Sequence, residues 1–343
     1  MYYSPYIPAH SSISPLGLSP ATSIPSFMAS KKIKPPKGTR DLYPEDLLRQ
    51  RYITNAWRDA SIRCGFEEIA GPTFESTDLY AVKSGDGILG ELFQAFSGKG
   101  GTETLDKLVE KGKADFALRP EFTPTLARMY AAKSKELPKP CKWFTAGPYF
   151  RAERPQRGRL REFLQWNVDA IGLPSEETTT ESKAQMDAEV IECSIRLFEN
   201  LGFDDQALKI MINDRNAMAD FFNTLGVNEE QLETAFTLLD RRAKLPADAL
   251  RTLAEEANLP EPFIIYLTQS DDADTPILST SDLDTLLSIC NDSQIDQWMI
   301  KDPSIARGLA YYTGTVFEAL ADGERAVAGG GRYDNLIELF GGP

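Results

Sequence analysis

The stretch FRAERPQRGRLREFLQWNVDAIG, residues 150–172, decides the fold. It places Arg151, Arg154, Arg157, Arg159 and Arg161 within a single short segment. Guanidinium suits phosphate, because its planar fork donates paired hydrogen bonds and keeps its charge when desolvated. Gly158 permits a tight reversal, so the segment reads as two strands, Trp143–Arg151 and Glu162–Ile171, joined by a polar loop. A solvated hairpin tip making surface ion pairs is the competing reading of the arginines. The second strand decides between them. Gln165, Asn167 and Asp169 alternate along it and therefore share one sheet face. Such a stripe beside an arginine cluster is a floor for a zwitterionic small molecule, since burying it unpaired costs about 1–3 kcal/mol per group.

Working outward, Pro44-Glu45-Asp46 opens a helix whose apolar face runs through Leu47, Leu48, Tyr52, Ile53, Ala56, Trp57 and Ile62. Phe66–Ala70 and Phe116–Leu118 read as strands, and a helix follows from about Pro124 to Lys133. Glu181–Asn200 is a long amphipathic helix and Leu208–Ile212 a strand. From about Asn216 to Ser288 the pattern is helical and acidic. Strand character returns in Tyr311–Leu320, where Tyr311 and Tyr312 alternate across the strand, and in Ala326–Ala328, before a helix at Asp334–Phe340. The pattern predicts an α/β protein with an antiparallel sheet flanked by helices, not a doubly wound one.

The composition removes several chemistries. Lys and Arg total 37 against 51 Asp and Glu, a net charge of −14, so nucleic acid would have to meet a local basic patch. The one histidine, His10, lies in a Ser- and Pro-rich segment without charged residues that is expected to be disordered. Imidazole acid–base catalysis, Ser-His-Asp triads and ordinary zinc sites are therefore excluded. Cys64, Cys141, Cys193 and Cys290 form no metal-binding spacing and read as buried thiols in a reducing compartment. The acidic run Asp271, Asp272 and Asp274 lacks calcium-loop spacing and reads as a solvated loop. No apolar run is long enough to span a membrane.

Five segments together resemble the class II aminoacyl-tRNA synthetases, and within them the histidyl-tRNA synthetase family. The hairpin 150–172 resembles motif 2, which holds ATP, and GFEEIAGPTFE (65–75) the end of motif 1, which builds a homodimer interface. LRPEFTPTLARMYA (118–131) resembles the segment that binds the amino acid's ammonium, and ARGLAYYTGTVFEA (306–319) and AGGGRYDNL (328–336) resemble the two segments that set the histidine enzymes apart. The resemblance implies a class II synthetase catalytic fold with a helical insertion. The implied domains are a disordered leader over residues 1–34, a catalytic domain over 35–215, the insertion over 216–300, and a truncated return to the catalytic domain over 301–343.

The roles that the resemblance implies are specific. Glu121, Thr123 and Gln165 would hold the α-amino group of L-histidine, and Asp169, Tyr311 and Tyr312 its imidazole. Arg151, Glu153, Arg159 and Gln165 would bind ATP, with Arg151 and Arg307 as the catalytic pair at the α-phosphate. Gly329, Gly330 and Gly331 would line the adenylate with bare backbone. Mg²⁺ would accompany ATP, with no protein side chain assigned to it. The implied activity is histidine–tRNA ligation, with L-histidine and tRNA(His) as partners, and the alternative is a histidine-sensing regulatory paralogue of the ATP phosphoribosyltransferase type. Asp169 stands where the family often has Glu, and Ala310 where Asp is common. The chain is expected to end before motif 3 and the anticodon-binding domain. The expected location is cytoplasmic, or organellar if residues 1–27 are a transit peptide, with Met28 as a second possible start.

Overall fold

The computed structural model describes residues 33–84, 86–99, 102–156, 158–174, 178–242, 244–269, 280–307, 311–321 and 325–342. The expected leader up to residue 32, Arg157, the acidic run at 271–274 and Ala310 lie outside the described residues. Residues 33–36 have no regular secondary structure and do not belong to the unit that starts at Lys37.

From Lys37 onward the chain runs α1 (Pro44–Arg63), β1 (Glu67–Glu68), β2 (Phe74–Ser76), α2 (Thr77–Ser84), β3 (Gln94–Ala95), α3 (Thr102–Lys111), β4 (Phe116–Leu118) and α4 (Thr123–Lys133). The hairpin β5 (Cys141–Phe150) and β6 (Glu162–Ile171) follows, then α5 (Thr180–Asn200) and β7 (Leu208–Asp214). Next come α6 (Arg215–Thr224), α7 (Glu229–Asp240), α8 (Ala247–Glu256), α9 (Glu261–Thr268) and α10 (Ser281–Asp292). The last elements are β8 (Met299–Lys301), β9 (Thr315–Ala321), β10 (Ala328–Gly331) and the short α11 (Leu336–Leu339).

Three sheets result. In the first, β5 and β6 pair antiparallel from Cys141↔Ile171 to Phe150↔Glu162, with β1 parallel to β5 on the far side. The second has the order β10-β9-β7-β8 and is antiparallel except for the parallel β7–β8 pair. The third is the small antiparallel set β2-β4-β3. Among the described residues, β6 and β10 are edge strands of their sheets.

Helix α5 connects the two larger sheets. Thr179 caps it by accepting from the Ser182 N–H at 3.0 Å. Ala184, Ala188, Ile191, Ile195 and Phe198 recur every three or four residues and pack with Ile210 and Ile212 of β7, Phe317 of β9 and Leu283 and Leu286 of α10. Its Cys193 meets Phe144, Trp166 and Val168 of the first sheet, and Val190 packs against both cores. Helices α6 to α9 surround a separate core built on Phe222, Phe236 and Phe263, whereas α10 returns to the core of α5 and the second sheet.

The apolar face of α1 is largely uncovered within this chain: Leu48, Tyr52 and Ile62 are more than half exposed, and the buried residues of the helix are Ala60 and Ser61 at its end. Two expectations are corrected. Tyr311 and Tyr312 precede the strand instead of alternating across it. Strand β9 begins only at Thr315 opposite Asp214, because β7 ends there and Asp214 turns to cap α6, accepting from the Asn216 and Ala217 N–H groups. The strand expected at Ala326–Ala328 lies later, over Ala328–Gly331, so the glycine run is itself paired, from Ala328↔Ala319 to Gly331↔Val316.

Candidate active site

A cavity of about 1020 Å³ opens between β6, α5 and β10. Gln165, Asn167 and Asp169 line it from β6, as do the intervening Trp166 and Val168 of this edge strand, and Thr123 lines it from the first turn of α4. Gln165 Oε1 and Asn167 Oδ1 are buried and have no hydrogen-bond partner among the described residues. Two buried acceptors without a partner, both on residues that line the cavity, each costing about 1–3 kcal/mol if left dry, fit a ligand that donates hydrogen bonds.

The far wall is aromatic and basic. The rings of Tyr311 and Tyr312 lie 4.6 Å apart, and Tyr333 meets Tyr311 edge-on at 5.7 Å. Tyr333 donates its hydroxyl to Asp169, the residue expected to read the ligand's side chain. Burial, reinforced by the Asp169 charge, pushes the Tyr333 phenol well above its usual value, so it remains a donor. Sequence reasoning noted Tyr333 only as a neighbour of the glycine run. A separation of 164 residues from Asp169 leaves no local signal for the contact.

Arg307 enters the cavity from a left-handed backbone (φ 47°), which costs a non-glycine residue roughly 1–2 kcal/mol. Its Nη1 donates to Glu318 Oε1 at 2.8 Å, while its buried Nε has no partner among the described residues. Burial works against its charge, yet Tyr312 and Glu318 hold its pKa above the ordinary value. The glycines of β10 make room for these side chains. A Cβ on Gly329 would sit 2.9 Å from Arg307 Cζ, one on Gly330 2.8 Å from Phe317 Cζ, and one on Gly331 2.7 Å from Thr315 O and 2.8 Å from Tyr312 Cδ1. The space beside this backbone is thus taken by the protein's own groups as well as by the cavity.

Arg332 anchors the end of β10. It forms a forked pair with Asp187 of α5 (Nη2 to Oδ2 2.6 Å) and meets Asp282 of α10 at 3.0 Å. Burial alone would weaken its charge, but the carboxylates outweigh that and hold its pKa well above normal. These partners are 145 and 50 residues away, so no motif announces them.

The other predicted residues, Glu121, Arg151, Glu153 and Arg159, are not among those that line the cavity. Glu121 follows Arg119, which is fixed by donating to Pro148 O (2.9 Å) and Gly71 O (3.2 Å) beneath Gly147. The Glu121 charge is close enough to Tyr311 to help raise that phenol, after burial and Tyr312. The Arg151 guanidinium lies 5.2 Å from the Phe163 ring centroid and donates to Pro120 O at 3.3 Å. Phe163 is two residues before Gln165, so Arg151 continues the same sheet face. Glu153 and Arg159 form a 3.7 Å ion pair on the exposed hairpin tip. Arg161, counted with the phosphate cluster in the sequence, is used internally: it donates to Glu153 O at 3.0 Å, and its side chain would meet a Cβ on Gly38.

The antiparallel hairpin, the polar stripe on its outer strand and the facing arginine and glycine strand belong to an α/β fold, antiparallel sheets flanked by helices, that solved histidyl-tRNA synthetases share. The crystal structure of histidyl-tRNA synthetase from Nostoc sp. PCC 7120 shares the fold, with a TM-score of 0.68 at 23 % identity over 90 % of this chain and 70 % of that one. A structure from Bacillus halodurans described as an ATP phosphoribosyltransferase regulatory subunit/histidyl-tRNA synthetase does too, with a TM-score of 0.67 at 21 % identity over 94 % of this chain and 80 % of that one. A family profile described as histidyl-tRNA synthetase matches residues 38–343. The histidine--tRNA ligase of Haloarcula marismortui is 36 % identical over 89 % of this chain and 69 % of its own length. The chloroplastic/mitochondrial histidine--tRNA ligase of Arabidopsis thaliana is 33 % identical over 95 % of this chain and 65 % of its own length. The chain belongs to the histidyl-tRNA synthetase family and spans about two thirds of the length of these curated relatives.

Buried tyrosines give the structure a pH signature. Burial pushes Tyr149 up to about 12, and Tyr80, Tyr311 and Tyr333 are raised above their usual value for the same leading reason. The unfolded phenols titrate near about 10, so the folded chain binds more protons above that pH. Their contribution to stability is complete below about pH 10 and is lost as pH rises beyond it. Phenolate absorbance from these residues should therefore appear together with loss of near-ultraviolet dichroism. A full phenolate signal with native dichroism would contradict the assigned burial.

Proposed function

We propose that this chain carries the histidine-activating centre of a histidine–tRNA ligase, in which ATP and L-histidine form histidyl-adenylate and the histidyl group passes to tRNA(His). The observation that carries the proposal is one cavity joining unpartnered acceptors on Gln165 and Asn167, the Tyr333-held carboxylate of Asp169 and the guanidinium of Arg307.

In this reading Gln165, Thr123 and Glu121 receive the α-ammonium, and Asp169 with Tyr312 receives the imidazole, Tyr311 packing beside them. The substrate carboxylate is already an anion, so activation requires no protein base, in keeping with a chain whose only histidine is His10. The chain's task is to orient that carboxylate and to stabilise the charge that builds on the non-bridging oxygens of the α-phosphorus. Arg307 and Arg151 take that role, with Arg159 on the outer phosphates, Glu153 among the ATP-binding residues and paired with Arg159, and the Gly329–Gly331 backbone along the adenylate. For Arg307 this means exchanging its bond to Glu318 for phosphate oxygens, and its unpaired Nε is a donor ready for that use. Mg²⁺, bound with the nucleotide, would supply charge neutralisation on the leaving pyrophosphate. Helices α6–α9 would face the tRNA acceptor stem. A histidine-sensing paralogue would share the amino-acid pocket, and Arg151, Arg154 and Arg159 favour the ligase over it because a sensor needs no phosphate grip.

The exposed apolar residues of α1 fit a homodimer interface. Sedimentation velocity should find a dimer, and the Leu48→Asp/Tyr52→Asp double variant should run as a folded monomer. An unchanged sedimentation coefficient would exclude α1 from any interface.

Histidine-dependent ATP–pyrophosphate exchange is the direct test of the centre. Arg307→Ala is expected to slow exchange by about 100-fold or more, as loss of a transition-state donor does, while histidine affinity changes by no more than about 3-fold. Tight histidine binding without exchange in the unaltered chain would favour the sensor reading.

A further inference from the structure

Arg215 has no place in the roles assigned above, yet it is buried and points at the most strained residue of the site. It is the first residue of α6, and its Nη1 donates to the main-chain oxygens of Ala306 (3.1 Å) and Arg307 (2.9 Å). Its guanidinium lies 3.8 Å from the ring centroid of Phe236 in α7, so the core of α6–α9 fixes its plane. Its own N–H donates to Gly314 O at 3.0 Å, on the far side of the segment that carries Tyr311 and Tyr312.

The two residues before it do related work. Asn213 Nδ2 donates to Ile305 O (3.0 Å) and Pro303 O (3.3 Å), and Asp214 caps α6. One tripeptide at the β7–α6 junction therefore holds the carbonyls of residues 303, 305, 306 and 307 while starting the helix whose core supports Arg215. Left to itself, a non-glycine residue relaxes from φ 47° into a more populated region, which would re-aim its side chain. A carbonyl gripped by a stacked, buried guanidinium resists that rotation.

We infer that Arg215 is a positioning residue, which sets the aim of the Arg307 guanidinium by clamping the Ala306 and Arg307 carbonyls and thereby ties the phosphate side of the site to the α6–α9 helices. The inference rests on the proposed function and deepens it: Arg215 governs the phosphate-bearing part of the ligand and leaves the amino-acid pocket alone. Its consequence is a split in affinity that a merely structural arginine would not produce.

Calorimetric titration of the full chain with L-histidine and with histidinol adenylate, an ester of AMP, reads that split. Arg215→Met keeps an apolar body against Phe236 and removes the donors. It should weaken histidinol adenylate by about 10-fold or more, as misplacement of a positioned group does, and leave L-histidine within about 2-fold. Arg215→Lys, which retains a donor for the two carbonyls, should restore most of the lost affinity. If the Met variant does not fold, Phe236→Leu removes the platform and leaves the donors, and the same selective loss is expected. Equal loss for both ligands, or loss for neither, would overturn the positioning role while leaving the proposed function standing. An unaltered chain that binds neither ligand would overturn both.

Discussion

Space beside the Gly329–Gly331 backbone is the constraint on which the rest of the site depends. Arg307, Phe317, Tyr312 and the Thr315 carbonyl occupy positions that a Cβ on this strand would contest at 2.7–2.9 Å. A methyl on Gly329 would displace the Arg307 guanidinium, one on Gly330 the Phe317 ring, and one on Gly331 would clash with the Thr315 carbonyl of the backbone-bonded strand β9 as well as with Tyr312. The strand is in turn held at its end by Arg332 between Asp187 and Asp282, so helices α5 and α10 fix where the bare backbone lies. The site is thus a consequence of how the second sheet is anchored, more than of any one polar residue.

Electrostatics explain how a chain of net charge −14 can present guanidiniums to a nucleotide. Arg332 is neutralised by two carboxylates and takes no further part, Arg161 is tied to main-chain oxygen, and Arg159 leans on Glu153. Arg307 pairs with Glu318 but retains a buried donor, and Arg151 lies on Phe163 with a main-chain oxygen as partner. The acidic surface repels polyanions at long range, while the few guanidiniums near the cavity act at contact distance, where screening matters little.

Much of this was legible in the sequence, and the exceptions have physical causes. The β5–β6 hairpin, the polar stripe and α5 follow from period and turn chemistry, which are local. The helix α1 was legible too, but not how far its face is covered, because an apolar stripe states that a face avoids water without stating what covers it. Tyr311 and Tyr312 read as strand because β-propensity ignores that β7 ends at Asp214 and leaves nothing to pair with. Five arginines in one segment look alike in sequence, yet Arg151 and Arg161 turn to different partners once folded. Contacts such as Arg332 with Asp187, Tyr333 with Asp169 and Arg215 with Arg307 join residues about 90 to 160 positions apart, beyond any spacing rule.

A crystal structure of the chain with bound histidinol adenylate tests the central claim most directly. The account predicts the imidazole against Asp169, with nitrogens of both Arg307 and Arg151 within about 2.7–3.2 Å of the non-bridging oxygens on its phosphorus. An Arg307 still bonded to Glu318, with the phosphate held elsewhere or by neither arginine, would contradict it.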